Sequence, residues 1–530
     1  MMIAAVLFAI GEANCRKAFA ETVAPAVQAH DGSQDAVMRI HWLGKSRIGS
    51  DTNAAGLMAI WNLPETHALQ RQTLEKLSSA PWRLMLGDKG TNAAGVLLQP
   101  ILNDIVDSEF YLETRGFTNQ PAETVFAIRL NAGQAALWET NLARVVESLT
   151  RIRPDFVKEA KSGWTLKKHD APNLIEFKHV GDWVLIGLAQ NRNALLGDWA
   201  GQLNRTGAPF AVAGKTNWVE AYLDFAHIPS ALPFLRLDTP FGSPKISFAL
   251  SGNGKDVLTK AEFQLKKSVG LLKPWNVPTN LIDGNFVGFT AVRGLDSELG
   301  AATTGKLIKM GSNPDQAYVW SLPGVLMATY FAAPDTQASN KVERLTTDVL
   351  KWSGTYFKPE DLVQFERSHT FNGLEWKGVP FVSPFVRSIE TNNADYIFGG
   401  FFNFLPPDSP FPQALEALLK GNPNLVAYDW ELTGRRIDQG IYVGQFVRMA
   451  LHKAQLPSGS PGLLWLQAMA ARLGNSATEV VKTAPDQLAL NRKSTIGLTS
   501  LEVHLLVDWL ESPDFPRGLH TFRAKPEPQP

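Results

Sequence analysis

Residues 125–149, VFAIRLNAGQAALWETNLARVVESL, set the pattern by which the rest of the chain is read. Val125–Leu130 is a short apolar run of strand length. Asn131, followed three residues later by Gln134, is a capping-box-like helix start. Trp138, Leu142, Val145, Val146 and Leu149 then recur at the spacing of one helix face, and the helix must stop before Pro154. Moving outward, strands are expected at Trp164–Lys168 and Leu174–Leu188, the second turning back on itself at Gly181-Asp182. A helix over Asn193–Leu203 and a strand over Trp218–Phe225 complete the unit.

The same order returns further along the chain. Val325–Ala332 reads as a strand, and Asp335 precedes a helix carrying Val342, Leu345, Val349 and Trp352. Phe365–Phe371 meets Leu374 across Asn372-Gly373, a strong hairpin signal. Strands at Phe385–Ile389 and Tyr396–Phe404, a helix over Pro412–Leu419 and a strand over Leu425–Leu432 follow. The two stretches read as repeat-like β-α-β-β-α-β units that share element order rather than residue identity. Between them, Ile246–Ser251 and Val257–Leu265 flank Asn253-Gly254, and Phe286–Val292 is a further strand. Hairpins and short spacings favour mostly antiparallel sheets with helices on one face, an α+β fold with helical additions at both ends.

The segmentation that follows has six parts. Residues 1–20 resemble a signal peptide, 21–112 are helix-rich, and 113–310 hold the first α+β unit with its strand-rich bridge. Residues 311–434 hold the second unit, 435–520 form a helical C-terminal block with a strand near Leu488–Asn491, and 521–530 form a proline-rich polar tail of disordered composition.

Composition narrows the classes. The chain has 530 residues, 51 Lys plus Arg against 51 Asp plus Glu, 45% hydrophobic residues and 19% charged ones. That balance excludes a disordered chain and speaks against a nucleic-acid partner. Met1–Gly11 is an apolar run too short to span a bilayer, and Ala18-Phe19-Ala20 has the small-x-small pattern that signal peptidase accepts. Export with cleavage after Ala20 is the expectation, although no Lys or Arg precedes the run; a cytosolic N-terminal helix is the competing reading. Cleavage would remove Cys15, the single cysteine, and with it any disulfide, thiolate nucleophile or cysteine metal ligand. No later stretch reaches membrane-spanning length.

Motifs for chemistry are poor. Gly300–Lys306 (GAATTGK) has P-loop spacing, but Leu307 stands where a Ser or Thr must hold magnesium. No G-x-S-x-G elbow is present, and the ten histidines show neither H-x-H nor H-E-x-x-H. His504 and Asp508 are one helical turn apart. The best polar cluster is Asp429, Glu431, Arg435, Arg436 and Asp438: strand alternation puts both carboxylates on one face, with two guanidiniums at the strand end. Such a set can do acid–base work or grip an anion. The ordinary alternative is a solvated salt-bridge patch. Fifteen Trp and 29 Phe are a heavy aromatic load, concentrated at Phe398, Phe401, Phe402, Phe404 and Phe411, either as core or as a groove for a ligand or partner.

Residues 180–203 (VGDWVLIGLAQNRNALLGDWAGQL) resemble exported bacterial proteins that pair a Gly-Asp-aromatic strand with a following helix. The resemblance implies the same build and compartment and supplies neither an activity nor site residues. The reading that results is a non-catalytic exported protein, periplasmic or envelope-associated. It would bind a hydrophobic ligand or protein partner, with Asp429, Glu431, Arg435, Arg436, Phe398, Phe401 and Phe402 as candidate contacts, or act as a scaffold. It needs no cofactor or metal. The alternative is an exported hydrolase with a site assembled from distant residues.

Overall fold

A computed structural model describes residues 36–516, apart from 87–94, 117–121, 158–162, 168–173, 191–192, 211–215, 228–243, 295–313, 325–327, 357–363, 379–381, 392–393, 403–406, 451–455 and 514. The signal-like segment with Cys15, the Gly300–Lys306 loop, Phe404 and the tail lie outside the described residues. The described chain is a mixed α+β fold dominated by a large antiparallel sheet.

Strands β1 (Ala36–Trp42), β2 (Phe110–Arg115), β3 (Glu123–Arg129), β4 (Asp155–Phe156), β5 (Gly163–Lys167), β6 (Leu174–Val180), β7 (Trp183–Ala189), β8 (Val219–Asp224), β9 (Lys245–Gly252) and β10 (Val257–Gln264) come from residues 36–264. Residues 288–494 supply β11 (Gly288–Arg293), β12 (Gln316–Ser321), β13 (Thr329–Pro334), β14 (Gln364–Arg367), β15 (Gly373–Lys377), β16 (Phe385–Glu390), β17 (Asp395–Gly400), β18 (Leu425–Leu432), β19 (Asn475–Ala484) and β20 (Gln487–Ser494). Besides the single turns Lys45–Ile48 and Thr52–Ala54, the described helices are α1 (Ala55–Trp61), α2 (Pro64–Leu86), α3 (Gly95–Asp107), α4 (Ala132–Thr150), α5 (Ala194–Thr206), α6 (Ala338–Tyr356), α7 (Gln413–Gly421), α8 (Thr433–Ala450), α9 (Pro461–Ala470) and α10 (Ser500–Glu511).

Among the described residues every strand pairing is antiparallel. From one edge the order is β4-β5-β6-β7-β3-β2-β1-β8-β9-β10. From the other it is β14-β15-β16-β17-β13-β12-β11-β18-β19-β20. The two series meet where β10 pairs β20, from Val257↔Ser494 to Gln264↔Gln487. Counted from that seam, β2 and β12 hold the same place in their series, and so do β5 and β15. Tyr111 in β2 donates its hydroxyl to Glu109, and Tyr318 in β12 donates to Gln316. A Cβ on Gly163 in β5 would press on the Phe177 carbonyl, and one on Gly373 in β15 would overlap the Val386 carbonyl.

A register row through Ala127, Tyr111, His41, Lys260, Asn491, Tyr428, Tyr318 and Phe398 crosses the seam and fixes which side chains share a face. Helix α5 packs on that face against Val125, Ala127, Trp183 and Leu185, and α7 against an aromatic core of Phe289, Tyr318, Phe398 and Tyr428. The opposite face meets α4 through Trp138, which stacks on Phe126, and α6 through Val342, which meets Ile397. Helices thus cover both faces, where the sequence suggested one. The reason is visible in β3: VFAI is apolar at consecutive positions, so both its faces need cover.

Capping fixes the helix starts. Asn131 accepts from the Gln134 N–H while Gln134 reaches back to the Asn131 N–H, as its sequence predicted. Thr499 and Glu502 do the same for α10. The C-terminal helices form one layer with the N-terminal ones, with Leu69 of α2, Ile437 of α8, Trp465 and Met469 of α9 and Val503 and Leu510 of α10 buried together. The strand expected near Leu488 is the second arm of hairpin β19–β20, which sits inside the sheet. Among the described residues no helix is long and apolar enough to cross a membrane.

Candidate functional site

Strand β18 reads LVAYDWEL, and its alternation sends Asp429 and Glu431 toward the helical layer while Tyr428 and Trp430 turn to the aromatic core. Asp429 and Glu431 are 1% and 2% exposed. The solvated salt-bridge patch that the residue types suggested is therefore a buried polar layer. The cause is position, because β18 lies between β11 and β19 and the first turn of α10 covers it.

The layer is satisfied mostly by the fold itself. Thr290 on β11 donates to Asp429 Oδ1 at 2.6 Å. Glu431 Oε1 accepts the Ser500 N–H and Oε2 the Ser500 hydroxyl, each at 2.6 Å, which places a carboxylate at the positive end of α10. Arg436 brings its Nε to 3.6 Å from Glu431. It can lie there because the residue opposite Glu431 is Gly288, where any Cβ would overlap the guanidinium. Burial pushes the Glu431 carboxyl above the usual range, Arg436 opposes this, and Asp429 adds to it. In the next strands Arg492 donates to Thr478 Oγ1 at 3.0 Å and forks onto both Glu502 oxygens at 2.7 and 2.9 Å.

Arg435 and Asp438 do not join this layer. The chain turns helical at Thr433, so helical rotation replaces strand alternation and leaves both on the exposed side of α8. Nor do His504 and Asp508 act as an imidazole–carboxylate pair: the Nε2 of His504 meets the Ile437 carbonyl at 3.1 Å, and Asp508 accepts from Arg448 at 2.7 Å.

The aromatic candidates divide. Phe398 is fully buried, stacked on Tyr330 at 6.1 Å and Trp320 at 6.0 Å, with the Arg387 guanidinium 5.6 Å from its centroid. Phe402 packs partly against the same core, whereas Phe401 is 53% exposed.

Two polar centres escaped the sequence reading. His41 stacks on Tyr111 and its Nε2 lies 3.2 Å from Glu109, which also accepts from Arg47 at 2.6 Å. The signal was the alternation in Met38-Arg39-Ile40-His41, which puts two basic side chains on one strand face. Arg293 donates to the carbonyls of Leu425, Lys273, Asn422 and Pro423 while its guanidinium sits 4.7 Å from the Trp275 centroid. No local spacing announces such a hub, whose partners are distant backbone atoms.

Among the described residues no group of three His, Cys, Asp or Glu is placed to hold a metal ion. Two surface clefts, one lined by His67, Arg71 and Gln99 and one by Leu271, Pro423 and Lys482, do not reach the buried layer. No family model matches the chain, and no curated protein matches it. One solved structure, "Structure of crystal form III of TP0453", is similar at a TM-score of 0.22 and 11% identity, over 46% of this chain and 80% of that chain. That likeness carries no argument about fold or function.

Proposed function

We propose that this chain is an exported, non-catalytic envelope protein, built from two copies of a ten-strand unit, that binds a hydrophobic ligand or a protein partner or serves as a scaffold. The observation that supports the non-catalytic part of this reading is the fate of the best polar cluster. Both Glu431 oxygens are occupied by Ser500, and Asp429 is engaged by Thr290, so these groups serve cohesion between sheet and helices. The duplication is supported by the matching strand order on either side of the β10–β20 seam and by the paired tyrosines and glycines. Export rests on the N-terminal sequence alone.

The test is purification from the native host without denaturant, followed by native mass spectrometry and N-terminal sequencing. A mature chain beginning after Ala20 and a stoichiometric lipid or protein adduct are expected. A bare monomer that retains Met1 would overturn the reading. Turnover in an esterase, glycosidase and peptidase panel would favour the hydrolase instead.

A further inference from the structure

Helix α10 differs from its neighbours in how it is held. Its apolar side, Val503, Leu506, Val507 and Leu510, enters the core shared with α2, α8 and α9. Its polar anchors come from β18, β20, α8, α9 and α2. Glu431 of β18 receives Ser500, and Arg492 of β20 grips Glu502. His504 meets the Ile437 carbonyl, Arg448 of α8 holds Asp508, and Glu511 accepts the Gly462 N–H of α9 and the Gln72 amide of α2. Lys76 of α2 closes the end on the Leu510 carbonyl.

His504 is the group whose change of charge is least tolerable. A carbonyl only accepts, so Nε2 carries the single ring proton, and the ring fits because position 440 is glycine, where a Cβ would overlap it. The cations Arg436 and Arg448 flank it, with Asp508 the nearby acid. Burial, reinforced by those guanidiniums, pushes the imidazole down to about 4. Glu431 has the opposite sign, since burial raises it and its protonated form is tolerated.

We propose that α10 is an acid-sensitive latch: acidification frees it from α8 while the strands remain paired, opening the apolar core between α2, α8, α9 and α10. This does not depend on the reading of function above. The sign follows from linkage. A histidine depressed in the folded state binds its proton more readily once released, so the bound state weakens as pH falls from 6.5 toward 4.

Hydrogen exchange of the full chain between pH 8 and pH 3.5, corrected for intrinsic rates, tests this. Residues 500–511 and the facing parts of α8 are expected to lose protection at a pH about one unit above that at which β10, β18 and β20 do. His504→Gln, which keeps a donor for Ile437, should move that midpoint to lower pH by about half a unit or more. Asp508→Asn, which removes the carboxylate that accepts from Arg448, should move it toward neutrality. Loss of protection in helix and strands at one pH would overturn the proposal. So would an unchanged midpoint in either folded variant.

Discussion

Arg293 offers the most quantitative test of how this fold is held. It sits at the end of β11, is 3% exposed, and donates to four carbonyls at 2.7, 2.8, 3.2 and 2.6 Å. Two of them, from Asn422 and Pro423, belong to the turn between α7 and β18, and a third, from Leu425, to the first residue of β18; the fourth is Lys273, in the segment that leads from β10 to β11. Arg293→Met keeps most of the stem but takes the donor from all four acceptors, of which the Asn422 carbonyl still holds another partner, the Leu425 N–H. A buried polar group left without a partner costs about 1–3 kcal/mol. Taking the low end for the other three, because some will find water, the variant should lose about 3 kcal/mol, more than a hundredfold in the folding equilibrium. Arg293→Lys restores one cation with three donors on one atom, which cannot reach acceptors that a planar fork meets from three nitrogens, so it should recover about half. Urea titration followed by tryptophan fluorescence reads the change directly. A methionine variant within 1 kcal/mol of wild type, or a lysine variant that recovers everything, would refute the reasoning.

Further outcomes follow from the same geometry. Phe398→Ala should cost about 3–5 kcal/mol, whereas Phe401→Ala should change the urea midpoint little; equal costs would mean that the aromatic stretch is not divided between core and surface. Gly163→Ala and Gly373→Ala should each destabilise by about 1–3 kcal/mol, since both place a methyl against the backbone of the adjoining strand. Tolerance at one and collapse at the other in thermal melts would argue against equivalent positions. Glu431 has a raised folded-state pKa, so the stability linked to its protonation is present below 4.5 and is lost as pH rises through the folded value. Glu431→Gln should remove that part of the pH dependence, and a stability profile parallel to wild type from pH 4 to 8 would count against it.

Much of the architecture was legible because it rests on local chemistry. The Asn131/Gln134 cap, the face marked by Trp138 and the Asn253-Gly254 hairpin appear where the residues put them. At Asn372-Gly373, by contrast, β14 already ends at Arg367 and Gly373 opens β15, so the turn spans residues 368–372. Strand β19, Asn475–Ala484, carried no comparable sign: its Ser, Thr, Glu and Lys residues read as solvent-facing, yet Thr478 and Glu479 are buried because the strand lies between β18 and β20. The site suffered from the same blindness. Alternation correctly placed Asp429 and Glu431 on one face, but burial there depends on the start of α10, some seventy residues later. Arg435 and Arg436 looked alike in sequence, and only the start of α8 at Thr433 and the empty space over Gly288 separate their fates.

The seam between β10 and β20 bears on biosynthesis. Among the described strands, it is the only pairing between residues 36–264 and residues 288–494. Strands β1 to β10 can therefore find all their other partners while the ribosome is still making the second series. Strand β20 is the last to emerge, so the two series can be joined only near the end of translation. Until then β10 presents one unpaired edge, which the chain must keep from other nascent chains.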